Sequence, residues 1–206
     1  RHIPSIRPKG PILADKVAVF DYDGTIVRFD TTRLQVLSCL LFSPFTSLRL
    51  ILAGDLKNAE DKSLLIFSTT LEGKGLHFVR ATFLFYSIYV KLFLNKRITS
   101  LMRRLRNEGY QILIASGSLS IAIKSVIDDY EVIGLEYEMS HGKIIPKVKG
   151  KRPVGQEKLN QCIEFIRQHH FSRIDFAISD SESDFPLLNS STESYLVKGD
   201  RIIKWK

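Results

Sequence analysis

A chain of 206 residues can bury one full core and a small second lobe, but not two large domains. Its 44% hydrophobic and 25% charged residues exclude a wholly disordered polymer, and its two cysteines, Cys39 and Cys162, each inside an apolar segment, exclude a disulfide framework or a zinc cage. The excess of 30 Lys and Arg over 22 Asp and Glu, a net +8, favours anionic partners: phosphorylated metabolites, nucleic acid or an acidic membrane surface.

Residues 1–15, with their prolines and bases, read as a basic N-terminal tail. The chain opens without the pattern of a secretory signal. Buried free thiols also fit a reducing compartment, so the expectation is a cytoplasmic protein, with peripheral contact at the inner face of a membrane left open by its charge.

Val17-Ala18-Val19-Phe20 then predicts a buried strand that ends in Asp21-Tyr22-Asp23-Gly24, with the glycine letting the chain leave the sheet sharply. Ligands of open α/β sheets sit at that carboxyl end. Two acids at this spacing can divide labour. Asp21 can attack phosphorus, and Asp23 can protonate a leaving alkoxide and later deprotonate water. One anion attacking another needs a cation between them, and an all-oxygen site suits Mg²⁺. The plain alternative is that Asp-Gly marks a turn.

From Asp30 to about Asn95 the pattern is helical, with Leu34, Leu37 and Leu41 on one face and Phe78, Phe85, Tyr89 and Phe93 on another. Helix packing is the expected use of the aromatic stripe; a ligand box or lipid-facing surface is the alternative. The charge-free windows Leu34 to Leu48, interrupted by Pro44, and Ala81 to Val90 both fall short of the roughly 18 apolar residues a spanning helix needs.

Next come a helix over Ile98 to Glu108 stopped by Gly109, and a strand over Gln111 to Ala115. That strand runs into Ser116-Gly117-Ser118 and a helix from Leu119 to Asp128. Hydroxyls and free N–H groups at such a start form a phosphate cradle, or simply a helix cap. A strand over Glu131 to Met139 with a hairpin at His141-Gly142 follows. A helix over Gln156 to His170 then carries Lys158 in its first turn, with Lys147, Lys149 and Lys151 as rival cations. Ile174 to Ser179 predicts a further strand ending in Asp180-Ser181-Glu182-Ser183-Asp184. There Asp180 can supply a metal oxygen opposite Asp21, and Asp184 can hold metal waters or orient Lys158. A loop at Asn189 to Ser194 and a short strand at Ser194 to Val197 complete the pattern. Strands alternating with helices imply an α/β fold: a doubly wound, mostly parallel, Rossmann-like sheet. Residues 16–30 and 96–206 form its core, and the helical insert 31–95 caps the carboxyl edge. The basic runs Arg103-Arg104-Leu105-Arg106 and Lys143 to Arg152 lack interleaved aromatics, which disfavours nucleic acid.

Taken in order, Asp21-Tyr22-Asp23-Gly24-Thr25, Ser116, Lys158 and Asp180 with Asp184 resemble the four motifs of the haloacid dehalogenase superfamily, across residues 17 to 188. The resemblance implies that Asp21 is the nucleophile and Asp23 the general acid/base, with the Asp23 backbone carbonyl on the metal. It also implies that Ser116, Gly117 and Ser118 meet phosphate, that Lys158 steadies it, and that Asp180 and Asp184 serve Mg²⁺. The second acid implies a phosphatase or mutase. Ala115-Ser116-Gly117-Ser118, Gly155-Gln156-Glu157-Lys158 and the run from Ser179 to Leu188 look like the phosphoserine-phosphatase-like branch. Within it they look closest to phosphatidylglycerophosphatase C relatives, which share the Ser-Asp-Ser start of the last motif and an apolar helical cap. The chain departs from phosphoserine phosphatases at Ser179 to Asp184, where they have Gly-Asp-Gly-x-Asn-Asp, and at Asp30, where they carry a substrate-reading Glu. The resulting expectation is an Mg²⁺-dependent phosphatase of a phosphorylated small molecule or lipid headgroup. A phosphomutase and a non-catalytic phosphate- or membrane-binding module are the alternatives.

Overall fold

The structure, a computed structural model, describes residues 15–43 and 59–206. The basic tail up to residue 14 and the later part of the window Leu34 to Leu48 lie outside the described residues. In chain order the elements are β1 (Lys16–Phe20), α1 (Thr32–Phe42), α2 (Ala59–Leu71), α3 (Leu76–Thr82), α4 (Leu84–Lys91), α5 (Lys96–Asn107), β2 (Tyr110–Leu119), α6 (Ser120–Val126) and β3 (Glu131–Leu135). Then come β4 (Tyr137–Ser140), β5 (Lys143–Val148), α7 (Gln156–Gln168), β6 (Phe176–Ser179), a 3-10 turn (Glu182–Asp184), α8 (Phe185–Ser190), β7 (Glu193–Lys198) and β8 (Arg201–Lys204).

Four of the five β1 residues are fully buried, as an apolar, β-branched run at the middle of a sheet requires. Among the described residues the main sheet has the order β3-β2-β1-β6-β7-β8, parallel except for the antiparallel β7–β8 pair. This is the expected doubly wound α/β arrangement. Alternation of side chains sorts β1 between two layers. Ala18 and Phe20 share one side with Ile112, Ile114, Phe176 and Ile178, covered by Ile98 and Met102 of α5 and Ala122 and Ile123 of α6. Val17 and Val19 share the other with Leu113, Ala115 and Ala177, covered by Leu159, Cys162 and Ile166 of α7 and Leu187 and Leu188 of α8. Each large side chain fully removed from water contributes about 1.5–3 kcal/mol, so this double layer fixes the strand tips firmly. Both thiols are free and buried, as their apolar settings imply. Phe20 lies level with Ile114 of β2 and Ile178 of β6, so the residues following all three strands emerge at one edge.

Several boundaries differ from the sequence reading. β2 runs on through Ser116-Gly117-Ser118, and α6 begins at Ser120, because Leu119 still pairs with Leu135 across an irregular register. The strand expected over Glu131 to Met139 divides at Glu136; its second part, β4, joins β5 in a separate two-stranded sheet. β8 was not anticipated. It returns from β7 through Gly199-Asp200, a dipeptide that favours tight turns.

The aromatic stripe is a larger correction. Packing buries Val79, Phe83, Tyr86 and Val90, whereas Leu37, Leu41, Phe78, Phe85, Tyr89 and Phe93 remain exposed. Both faces of this segment are apolar, so a helical period fits either one. The face that packs is the one carrying Tyr86, whose hydroxyl finds buried polar partners. Among the described residues no helix is long and apolar enough to cross a membrane.

Candidate active site

The backbone N–H of Asp21 donates to the Ile178 carbonyl at 3.0 Å, which ties the first residue beyond β1 to β6. Its Oδ1 accepts from Lys158 Nζ at 2.8 Å, and its Oδ2 from the Thr25 hydroxyl at 3.3 Å. Lys158, whose side chain is 5% exposed, projects from the first turn of α7 and donates also to Asp184 Oδ2. The same Asp184 oxygen accepts from Ser179 Oγ at 2.7 Å, while its Oδ1 is buried with no partner. Burial pushes the Asp21 carboxyl up to about 8; the Lys158 ammonium opposes this, and Asp184 and Asp23 reinforce it. Burial works against the Lys158 charge, but Asp21 and Asp184 outweigh it and hold the ammonium well above the ordinary lysine range.

Asp180 follows β6 as Asp21 follows β1, and the two meet. The Thr25 hydroxyl reaches Asp180 Oδ1 at 3.5 Å as well as Asp21. Gly24 makes the approach possible. Its φ is +72°, and a Cβ there would lie 1.9 Å from Asp180 Oδ2. Burial is the main cause that raises the Asp180 carboxyl, with its hydrogen bond to Asp21 acting the other way.

Asp23 is half-buried and gripped from two sides. Its Oδ2 accepts from Ser118 Oγ at 2.6 Å and Ser116 Oγ at 3.3 Å, and its Oδ1 accepts from the Thr31 N–H at 2.8 Å. Burial raises its carboxyl above the ordinary range. The Ser118 and Thr31 hydrogen bonds pull it down, and the Asp30 charge adds to the rise. Asp30 is exposed and caps the start of α1 by accepting from the Thr32 N–H at 2.8 Å.

A polar cluster beneath Asp23 escaped the sequence reading. Gln35, fully buried, donates to Thr31 Oγ1 at 2.8 Å and accepts from the Leu119 N–H at 3.2 Å; Tyr86 donates to the same Thr31 hydroxyl at 3.0 Å. These contacts join α1 and α4 to the tip of β2. The available signal was a lone glutamine among Leu34, Val36 and Leu37, since a buried amide must find partners.

A cavity of about 380 Å³ opens here, lined by Asp21, Asp23, Asp30, Ser116, Gly117, Ser118, Lys158 and Asp180, with Arg28, Phe29 and Arg152 at its walls. Arg152, which the sequence marked only as the end of a basic run, donates to the Gly117 carbonyl at 2.9 Å. Asp184 is not on the cavity wall; its contacts are with Lys158 and Ser179. Two rival lysines point elsewhere: Lys147 pairs with Glu138 at 2.7 Å and Lys149 with Glu136 at 3.2 Å.

Among the described residues no group of three or more metal-ligating side chains gathers. The donor set is instead two facing carboxylates, Asp21 and Asp180, over a glycine turn that leaves room for both. Oxygen-only donors of this kind fit a hard divalent cation that keeps several waters, as Mg²⁺ does.

The family model described as haloacid dehalogenase-like hydrolase matches residues 18–189. A protein of unknown function from Bordetella pertussis Tohama I is structurally similar, with a TM-score of 0.68 at 18% identity over 88% of this chain and 89% of that one. A phosphoserine phosphohydrolase-like protein from Francisella tularensis gives 0.56 at 18% identity, covering 87% and 85%. A phosphoserine phosphatase described as a phospho-aspartyl intermediate analogue gives 0.52 at 17%, covering 88% and 85%. At these identities the likeness is one of fold. No curated protein sequence matches significantly.

Proposed function

The chain belongs to the haloacid dehalogenase-like hydrolase family, and within it we propose a magnesium-dependent phosphomonoesterase that works through an aspartyl-phosphate on Asp21. One observation carries this reading. A buried carboxylate, held at one oxygen by Lys158, shares a cavity with a second, half-buried carboxylate whose proton affinity is raised.

In the first half-reaction an Asp21 oxygen bonds to phosphorus as the ester P–O bond breaks, and Asp23 gives its proton to the departing oxygen. In the second, Asp23 takes a proton from water as the water oxygen attacks phosphorus and Asp21 leaves. Lys158 holds Asp21 by its Oδ1, while Oδ2 accepts only a long contact from Thr25, so Oδ2 is the oxygen we assign to the attack. Ser116, Gly117 and Ser118 border the phosphoryl group, and Asp30 borders the rest of the ester. Asp184 positions Lys158 from behind. A Mg²⁺ ion held by Asp21, Asp180 and the Asp23 carbonyl would neutralise phosphoryl oxygens, the dominant need of this chemistry.

The favoured substrate is a lipid headgroup phosphate such as phosphatidylglycerophosphate. The support is the Ser-Asp-Ser start of the last motif and the apolar helical segment, both shared with phosphatidylglycerophosphatase C relatives. A small soluble ester is the second reading, favoured by the phosphoserine phosphatases among the fold neighbours. Phosphate release from an aryl phosphate, phosphoserine and detergent-dispersed phosphatidylglycerophosphate, with and without Mg²⁺, separates these readings. Asp21→Asn should abolish release, and retained turnover would move the nucleophile elsewhere.

A further inference from the structure

We propose that the outer face of α1 and α4 docks on an anionic bilayer surface, bringing the catalytic cavity to the lipid headgroups. On α4 and at its C-cap, Leu84, Phe85, Ile88 and Leu92 are 56%, 67%, 57% and 77% exposed, whereas Tyr86, Ser87 and Val90 turn inward. Spacings of three and four residues gather the exposed set into one stripe. On α1, which packs against α4, Leu37 and Leu41 are also exposed, one and two turns beyond Arg33. Exposed apolar surface this dense marks an interaction site on a protein surface.

The stripe leads to the cavity. Tyr89 lies tilted against Phe93 at 4.9 Å between ring centroids, Phe93 meets Phe29 edge-on at 5.5 Å, and Phe29 lines the cavity. Along the segment that carries it the charge has one sign, although Asp128 and Glu136 share a groove with Leu84 on its inner side. From Lys74 to Asn107 the sequence has no Asp or Glu, and Lys74, Arg80, Lys91, Lys96 and Arg97 lie along the segment that carries the stripe. Short helices with an apolar face and a cationic border lie in the interface of anionic membranes, with bulky apolar side chains among the acyl chains and bases at the phosphates. A two-fold pairing of the same face would bring like charges together, which argues against a second copy as the occupant.

This inference rests on the lipid-headgroup reading, and its failure is separable from that of the catalytic site. The test is sedimentation with vesicles of equal parts phosphatidylglycerol and phosphatidylcholine, against pure phosphatidylcholine, alongside hydrolysis of a soluble aryl phosphate. The wild-type chain should bind the anionic vesicles about tenfold more tightly than the neutral ones. Phe85→Ser with Leu92→Ser should lose about tenfold in binding, and Lys91→Glu should lose several-fold on anionic vesicles alone, with soluble hydrolysis within about twofold of wild type in both. Hydrolysis without vesicle binding overturns the docking face, as does a dimer that the double variant dissolves while vesicle binding is absent. Vesicle binding that the double variant loses, with no hydrolysis of any ester, upholds the face and removes the phosphatase reading.

Discussion

Replacing Lys158 by Met removes the cation between two buried carboxylates while keeping the aliphatic volume. Lys158 is 5% exposed at its side chain, Asp21 7% and Asp184 0%, so water cannot take over the solvation of either acid. Stripping one partner from a buried ion pair costs about 3–5 kcal/mol at neutral pH. With a urea m-value of about 2 kcal/mol/M, the midpoint should fall by about 1.5–2.5 M. The pH dependence has a definite sign. Asp21, with its folded pKa raised to about 8, binds its proton more tightly folded than unfolded. Its ionisation therefore weakens the fold progressively as pH rises from about 4, the unfolded value, to about 8. Lys158, raised in turn, contributes stability that is complete below the ordinary lysine pKa and is lost only as pH climbs through its elevated folded value. Without it, the buried acids must hold protons to remain inside, at about 1.4 kcal/mol per pH unit for each extra proton retained by the folded state. Urea unfolding in metal-free buffer at pH 5.5 and 7.5, followed by far-ultraviolet circular dichroism, should show a large deficit at 7.5 and a smaller one at 5.5. A variant midpoint within about 0.3 M of wild type at pH 7.5, where m is about 2 kcal/mol/M, would refute the account of Lys158 as the charge that keeps these acids buried.

Two further outcomes follow from the same geometry. Gly24→Ala should cost about 1–2 kcal/mol for a Cβ at positive φ. Because that Cβ falls on Asp180, it should also reduce Mg²⁺-dependent phosphate release by at least about tenfold, a loss of about 1.4 kcal/mol in transition-state stabilisation; unchanged turnover would show that Asp180 need not lie over the turn. Proton and cation compete for Asp21, whose carboxyl keeps its proton up to about pH 8 without metal. The rise in melting temperature on adding Mg²⁺ should therefore be larger at pH 8 than at pH 5.5. Asp21→Asn should flatten that difference, and an equal rise at both pH values in the wild-type chain would count against Asp21 as a cation ligand.

What the sequence disclosed and what it hid have physical reasons. Val17 to Phe20 and Ile174 to Ser179 are apolar runs with acids at their ends; parallel pairing brings both ends to one edge, and the Gly24 turn lets Asp180, one step beyond the residue level with Asp21, close on it. Lys158 stood out only by its place in the first turn of α7. Its choice over Lys147 and Lys149 depended on those two finding Glu138 and Glu136 across β4 and β5. Tyr86 was illegible because its Thr31 hydroxyl partner lies 55 residues away, and Gln35 because, beyond the local Thr31, its partner is the Leu119 N–H 84 residues away. The orientation of α4 was hidden for the opposite reason: both of its faces are apolar, so periodicity carried no choice between Tyr86 and Phe85. Extension of β2 through Ser118 was masked by a Ser-Gly-Ser sequence that reads locally as a turn or a cap.

The hydrogen bonds that hold Asp23 come from the tip of β2 and from the first residues of the helical insert. Thr31 supplies one of them while its hydroxyl is fastened within the insert by Gln35 and Tyr86, and Gln35 in turn accepts from the Leu119 N–H at the tip of β2, so the same residues that grip Asp23 also join the insert to the sheet. On the proposed assignment of Asp23 as the acid and base, loosening the insert would therefore also loosen the carboxylate that moves the proton.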